Sequence, residues 1–184
     1  MQQLEKEKHT LKGFFRKNVW HLVAFLIPVV IMLLVYCIRG VYPFGDQIYL
    51  RSDCYHQYAP FHMELLRKLQ NGESLLYSWD IGMGVNFIST IAYYLASPFN
   101  LLLLFVPASA MTEMVGVFLI LKIGLCGLTM SIYLGHRVNK TTPATAAFAL
   151  FYALSSYMAA FNWNIMWLDC LWLFPLVVMG LNAW

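Results

Sequence analysis

The chain reads as an all-α polytopic membrane protein, and three observations carry that reading. Hydrophobic residues make up 60% of its 184 residues and charged residues only 11%, whereas water-soluble domains run nearer ~45–50% and ~25%. Apolar runs of membrane-crossing length recur along it, and the basic residues mostly flank those runs instead of forming a patch. The net charge of +3 is therefore no sign of a nucleic-acid partner. The expected partner is the lipid bilayer.

Residues 1–18 are polar and basic, with Lys6, Lys8, Lys12, Arg16 and Lys17. They lead into the apolar run 19–38, whose plainly polar member is His21. Twenty helical residues rise ~30 Å, the thickness of the hydrocarbon core. A cleaved signal peptide is the competing reading, but the run is long for one and no A-x-A-like site follows. The expectation is a retained first span with a cytoplasmic N-terminus.

Residues 39–113 then form a long loop, expected on the extracytoplasmic side with juxtamembrane helices. Within it, Tyr58, Phe61, Leu65, Leu66 and Leu69 recur at helical spacing, Arg67 and Lys68 flank the stripe, Pro60 suits the first turn, and Asn71-Gly72 supplies a stop. Residues 91–106 are apolar but short, and Ser97-Pro98 and Asn100 interrupt them. Either they cross the bilayer or they re-enter or lie along its outer face. The second option keeps Arg137 and Lys140 on the cytoplasmic side and is the one expected.

A second span is expected over 114–134, a cytoplasmic loop over 135–142, a third span over 143–160, a Trp-rich outer turn over 161–170, and the start of a fourth span over 171–184. The sequence ends inside that apolar stretch, so it reads as the N-terminal piece of a longer protein. Cys37 and Cys126 read as small buried residues. Cys54 and Cys170 each follow an aspartate, and pairing them would bring Asp53 and Asp169 together. Free thiols are the expectation.

Several residues are candidates for chemistry. Asp53, in Arg51-Ser52-Asp53-Cys54-Tyr55-His56-Gln57, reads as a general base beside the bilayer, with His56 or Gln57 orienting it or the substrate, or else as a helix-capping or loop carboxylate. Asp46 reads as a turn residue. Asp53, His56 and His62 lack the spacing of a metal site, and neither metal nor organic cofactor is expected. Trp79 could present a sugar-stacking face, with Asp80 or Asn86 bonding hydroxyls, or the Gly82-x-Gly84 segment is a tight turn. Lys122, in mid-span, must face a cavity, a carboxylate or an anionic ligand. Asp169 is a second acid of the site or the cap of the fourth span. Arg51, Arg67, Lys68 and Lys122 are the cations available to a leaving phosphate.

The set Ser52-Asp53…Gln57-Tyr58…Pro60-Phe61, Asn71-Gly72, Trp79, Gly82 and Gly84 resembles the YfhO-like bacterial membrane proteins. So do Tyr93-Tyr94-Leu95…Ser97-Pro98-Phe99-Asn100 and Asn164-Ile165-Met166-Trp167-Leu168-Asp169…Pro175. The resemblance covers most of the chain from Gly45 onward. It implies a GT-C-type glycosyltransferase in the bacterial cell membrane, with a GT-C-like helix bundle and a long, partly helical first extracytoplasmic loop. It further implies a polyprenyl-phosphate sugar donor, a cell-envelope glycopolymer acceptor such as lipoteichoic acid, and an acidic base in that loop, a position that Asp53 matches. The chain is far shorter than such proteins and lacks their remaining spans and outer domain. A rival of another class is a transporter or flippase component that moves lipid-linked precursors without chemistry, which Lys122 and the interrupted 91–106 segment suit.

Overall fold

In the computed structural model the protein is about 74% helical. The structure describes residues 11–182, with side chains from Asn18 onward. Most of the basic segment 1–18, along with Ala183 and Trp184, lies outside the described residues or side chains. Three helical stretches are long and apolar enough to cross a membrane: Asn18–Arg39, Ala108–Arg137 and Pro143–Phe161. The described residues divide into two compact units, one of residues 11–34, 120–160 and 170–182, the other of residues 35–119 and 161–169.

The first unit is made of long apolar helices. Helix α1 (Leu11–Arg39) contributes all but its last residues, and α4 (Met111–Arg137) contributes its part from Ile120. Helices α5 (Pro143–Ala153), α6 (Ser156–Phe161) and most of α7 (Ile165–Leu181) complete the unit. Its centre is built from small residues, Ala24, Ala146 and Ala149, with Trp20, Met130 and Leu134 around them. Spanning helices gain little from burying one apolar group against another, so they associate through small residues that admit close backbones. Gly127 shows this: a methyl group there would run into the carbonyl of Ala24. His21 sits between Ser131 Oγ (2.9 Å) and Thr141 Oγ1 (3.2 Å), which satisfies both ring nitrogens inside the apolar run. A reciprocal Thr142–Thr145 capping box with Pro143 behind it starts α5. Cys37 is exposed, contrary to the expectation of burial; an apolar face on a spanning helix needs no protein cover when lipid is equally apolar.

The second unit carries the elements between the first two long helices. Cys54–Tyr58 forms a π-helical turn that runs directly into α2 (Ala59–Asn71). Gly72 at φ 65° ends α2 in the left-handed conformation, and its N–H donates to the Lys68 carbonyl. A two-residue antiparallel hairpin follows, β1 (Tyr77–Ser78) and β2 (Val85–Asn86), paired Tyr77 with Asn86 and Ser78 with Val85. Helix α3 (Phe87–Thr90) continues into a π-helical turn at Ile91–Leu95, then a 3-10 stretch at Pro98–Phe105. These last two pieces meet at 109°. Pro98 has no N–H to continue the preceding helix, and Ser97 before it is extended at φ −127°, ψ 134°. So sharp a turn excludes one straight helix through residues 91–106 and fits either a broken span or a re-entrant loop.

The core of this unit gathers Cys54, Tyr58, Leu65, Leu66, Phe87 and Phe118, with Phe61 and Leu69 against it. The apolar stripe of α2 is therefore its buried face. The turn 161–169 belongs here too. The Tyr49 hydroxyl donates to Asn162 Oδ1 (3.2 Å), the Tyr58 hydroxyl to Asn164 Oδ1 (2.7 Å) and the Ser97 hydroxyl to Asp169 Oδ1 (3.2 Å). Helix α7 starts at Ile165, so Asp169 lies within the helix and is not its cap.

Candidate functional site

Asp53 stands immediately before the π-turn and is partly buried, and its side chain makes no capping hydrogen bond. That removes the capping alternative. The Tyr58 phenol is pushed above its ordinary value chiefly by burial and secondarily by the Asp53 carboxylate, which marks the two groups as neighbours. The Tyr58 phenol keeps its proton and its O–H donates a hydrogen bond to Asn164 Oδ1. Cys54 is almost fully buried, and burial pushes its thiol up to about 12. Cys54 and Cys170 are both free.

The segment of residues 51–56 connects two clefts. Arg51 lines the first, of about 360 Å³, together with Arg39, Gln47 and Tyr49. His56 lines the second, of about 400 Å³, together with Phe61, Glu64, Arg67, Asp80 and Gly82. Asp53 thus occupies the short stretch of backbone between them. Gln57, partly buried on the π-turn, follows His56.

The second cleft is held by a charged network that sequence spacing left unread. Glu64, nearly buried, accepts two hydrogen bonds from Arg67 (2.9 and 3.0 Å) and one from Ser78 (2.5 Å). The Arg67 hydrogen bonds hold the Glu64 carboxyl below the usual range, against the opposing effect of its burial. Arg67 also reaches Glu73 (2.5 Å) and Asp80 (2.7 Å). Lys68, read from sequence as a flanking cation, is buried. It donates to the carbonyls of Ser74 (3.2 Å) and Tyr77 (3.0 Å) and lies 5.5 Å from the centre of the Phe87 ring. Arg67 and Lys68 are committed to α2 and the hairpin, which leaves neither as a mobile counter-charge for a substrate.

The hairpin projects from this network. Trp79 is 75% exposed and packs edge-on against Tyr77 with ring centroids 4.8 Å apart. Gly84, at φ 104°, allows that contact because a side chain there would overlap the Tyr77 hydroxyl. Asn86 has a local duty: its side chain accepts from the Ser89 N–H as the cap of α3. Asp80 faces both Arg67 and the cleft. His62 is a core residue whose Nδ1–H donates to the Tyr58 carbonyl at 2.6 Å. Among the described residues no three His, Cys, Asp or Glu side chains form a metal-binding group. Lys122 is buried within the other unit, so the second unit is built without it.

Of the residues singled out by sequence, the structure gathers Arg51, Asp53, His56, Gln57, Trp79, Asp80 and Asp169 into one unit. Arg39, Glu64 and Ser78 were missed. The last two had no signal of their own, since only the tertiary pairing of α2 with the hairpin makes Glu64 a partner of Ser78, 14 positions later.

Comparison with curated proteins and with solved structures returned no significant match. The family model described as bacterial membrane protein YfhO matches residues 24–183, which takes in both units and every candidate residue named above. The chain belongs to the YfhO family of bacterial membrane proteins.

Proposed function

We propose that this chain carries the acceptor-activating part of a GT-C-type glycosyltransferase, which moves a sugar from a polyprenyl-phosphate donor to a cell-envelope polymer such as lipoteichoic acid on the outer side of the membrane. The observation that supports this most is the position of Asp53: a carboxylate immediately before a π-turn, on the backbone that links an arginine-lined cleft to one lined by aromatic, histidine and carboxylate side chains. π-Turns recur at functional sites, and a cleft offering Phe61, His56 and Asp80 suits the apolar faces and hydroxyls of a sugar.

In the reaction, the Asp53 carboxylate takes the proton of an acceptor hydroxyl. The hydroxyl oxygen forms a bond to the anomeric carbon while the carbon–oxygen bond to phosphate breaks, and the lipid phosphate leaves with the electron pair. Attack opposite the leaving group inverts the anomeric centre. General-base assistance contributes ~10²–10⁴-fold, so Asp53→Asn in the full-length protein should reduce sugar transfer by about that factor at an unchanged membrane level. Transfer at the wild-type rate would remove Asp53 from the mechanism.

A second reading is favoured by the 109° break at residues 95–98 and the buried Lys122, since interrupted helices and charged spans line transport pathways. It predicts that lipid-linked sugar crosses proteoliposome membranes with no new glycosidic bond formed.

A further inference from the structure

We propose that the cleft between the end of α1 and residues 47–51 binds the phosphate monoester of a long-chain lipid, with Arg39 and Arg51 as its two ligands. The inference rests on the lipid-phosphate substrate class of the preceding section and assigns that substrate's charged group to a place.

Charge is the first argument. Arg39 and Arg51 line one cleft of about 360 Å³, and among the described residues neither guanidinium side chain forms an ion pair or hydrogen bond. The same unit shows what a satisfied arginine looks like, because Arg67 is ringed by Glu64, Glu73 and Asp80. Two guanidinium groups held at one cleft with no counter-ion repel each other. An anion between them turns that repulsion into attraction. Guanidinium forks match the paired oxygens of a phosphate, which a lysine ammonium does not do. The nearby carboxylates in sequence are Asp46 and Asp53, and neither is paired with these arginines.

Position is the second. Arg39 is the last residue of the candidate span Asn18–Arg39, so the cleft opens at the level where a bilayer carries its headgroups. Its walls combine Gln47 and Tyr49 with Val35 and Leu50, a polar pocket for phosphate next to an apolar path for the first carbons of a lipid tail. The cleft is also preformed. The Tyr36 ring stacks on Tyr49 (centroids 4.8 Å, 26° between planes) and its hydroxyl donates to the Gly116 carbonyl (3.3 Å). The loop before it is closed by the Tyr42 N–H to the Gln47 carbonyl (3.0 Å) and the Gln47 N–H to the Gly40 carbonyl (3.1 Å). Little ordering then remains to be done on binding.

Reach is the third. Arg51 and Asp53 are two positions apart, with Ser52 alone between them, a span of at most ~7 Å of chain, which is the scale of a sugar ring set between a leaving phosphate and a base.

The test uses the full chain in phosphatidylcholine nanodiscs, with a polyprenyl monophosphate as probe and retained lipid read by native mass spectrometry. Parallel arms carry the uncharged polyprenol, phosphatidylglycerol and free inorganic phosphate. Arg39→Gln and Arg51→Gln should each weaken retention of the monophosphate by roughly tenfold, with the double variant weaker still. Arg51→Lys should lose less, and Arg137→Gln nothing. Gel-filtration profiles and thermal melts matching wild type identify variants that remain folded, and Arg39→Lys provides partial rescue if Arg39→Gln does not fold. Retention unchanged in the double variant overturns the site. Equal retention of polyprenol shows that phosphate is not what is bound. Equal retention of phosphatidylglycerol or inorganic phosphate overturns the lipid-monophosphate assignment in favour of a general anion site. Asp53→Asn should leave retention intact, so failure of the phosphate site and failure of the catalytic reading give separate results.

Discussion

Lys68→Met tests whether the buried network holds the second cleft open. The wild-type ammonium, 4% exposed, donates to two backbone carbonyls and sits 3.5 Å from Glu64 and 3.7 Å from Glu73. Methionine keeps the volume and loses the donors, so the Ser74 and Tyr77 carbonyls lose their Lys68 partner and Glu64 keeps Arg67 and Ser78. Hydrogen bonds from a charged group contribute about 1.5–3 kcal/mol each, and removing one member of a buried ionic cluster costs about 3–5 kcal/mol. Better apolar packing of methionine against Phe87 offsets part of that, which leaves about 3 kcal/mol. The loss should fall on the docking of residues 73–86 and not on the long helices, because both lost hydrogen bonds end there. At 1.36 kcal/mol per factor of ten, the open population of that segment rises roughly 150-fold. Native-state proteolysis reads this directly as faster cleavage between residues 72 and 86, because cutting follows the open fraction when reclosing is fast. The Glu64 carboxyl adds a pH signature. Its folded value is depressed, so its contribution is fully present above the unfolded carboxylate range near ~4.3. It disappears as pH falls through the lower folded value. Wild-type protection of the hairpin should therefore persist at neutral pH and drop only in acid below that range. Cleavage within threefold of wild type at neutral pH, or equal losses in Lys68→Met and Lys68→Arg, would refute the strut.

Two further outcomes follow from burial and from membrane sidedness. With its thiol pushed up to about 12, Cys54 in the folded protein should react with iodoacetamide at pH 8 about 10³-fold more slowly than a free thiol. It should react normally after denaturation, and rapid reaction in the native protein would contradict its placement in the core. In a variant with the native cysteines replaced, a membrane-impermeant maleimide added to intact cells should label Asn86→Cys and spare Asn139→Cys. The reverse pattern would put residues 39–113 in the cytoplasm and end the outer-face reading.

The helical fold was legible because it rests on composition and period. The run before Arg39, the stripe from Tyr58 to Leu69 and the Asn71-Gly72 stop each act through local chemistry; α1 contains that run but begins at Leu11, inside the polar segment, and α2 carries the stripe and ends at Asn71. Helix α7 begins at Ile165, inside the expected outer turn 161–170. The Trp-rich turn looked like a surface loop, and nothing local reveals that Tyr49 and Tyr58 hydroxyls hold Asn162 and Asn164. The charges of α2 were misread for a related reason. Helical spacing identifies the apolar face, but it does not say that a hairpin folds back over the polar one and buries Glu64 and Lys68. Among the site candidates, Asp53 could be named from its neighbours. Arg39 could not, since a basic residue ending a span is expected at every membrane boundary, and only the fold of residues 40–50 brings it to Arg51.

The π-turn offers a sharper test of Asp53 than replacing its side chain. In that turn the Ala59 N–H donates to the Cys54 carbonyl, five residues back, where an α-helix would reach back four. One residue more than an α-helix needs is thus accommodated between Asp53 and the packed stripe of α2. Tyr55 is 54% exposed and packs edge-on against the exposed His56, so removing it deletes length and little buried contact. Deletion of Tyr55 should let α2 extend backwards as regular α-helix, turning Arg51 and Asp53 by ~100° about the helix axis relative to Phe61 and Leu65. If the direction of Asp53 between the two clefts is what matters, the deletion variant keeps its membrane level and helical content and loses sugar transfer as fully as Asp53→Asn. Returning an alanine at the deleted position restores transfer, because the register is restored without the tyrosine ring. Transfer that survives the deletion would mean the carboxylate acts from either direction, and a base of that kind is solvent-borne and dispensable.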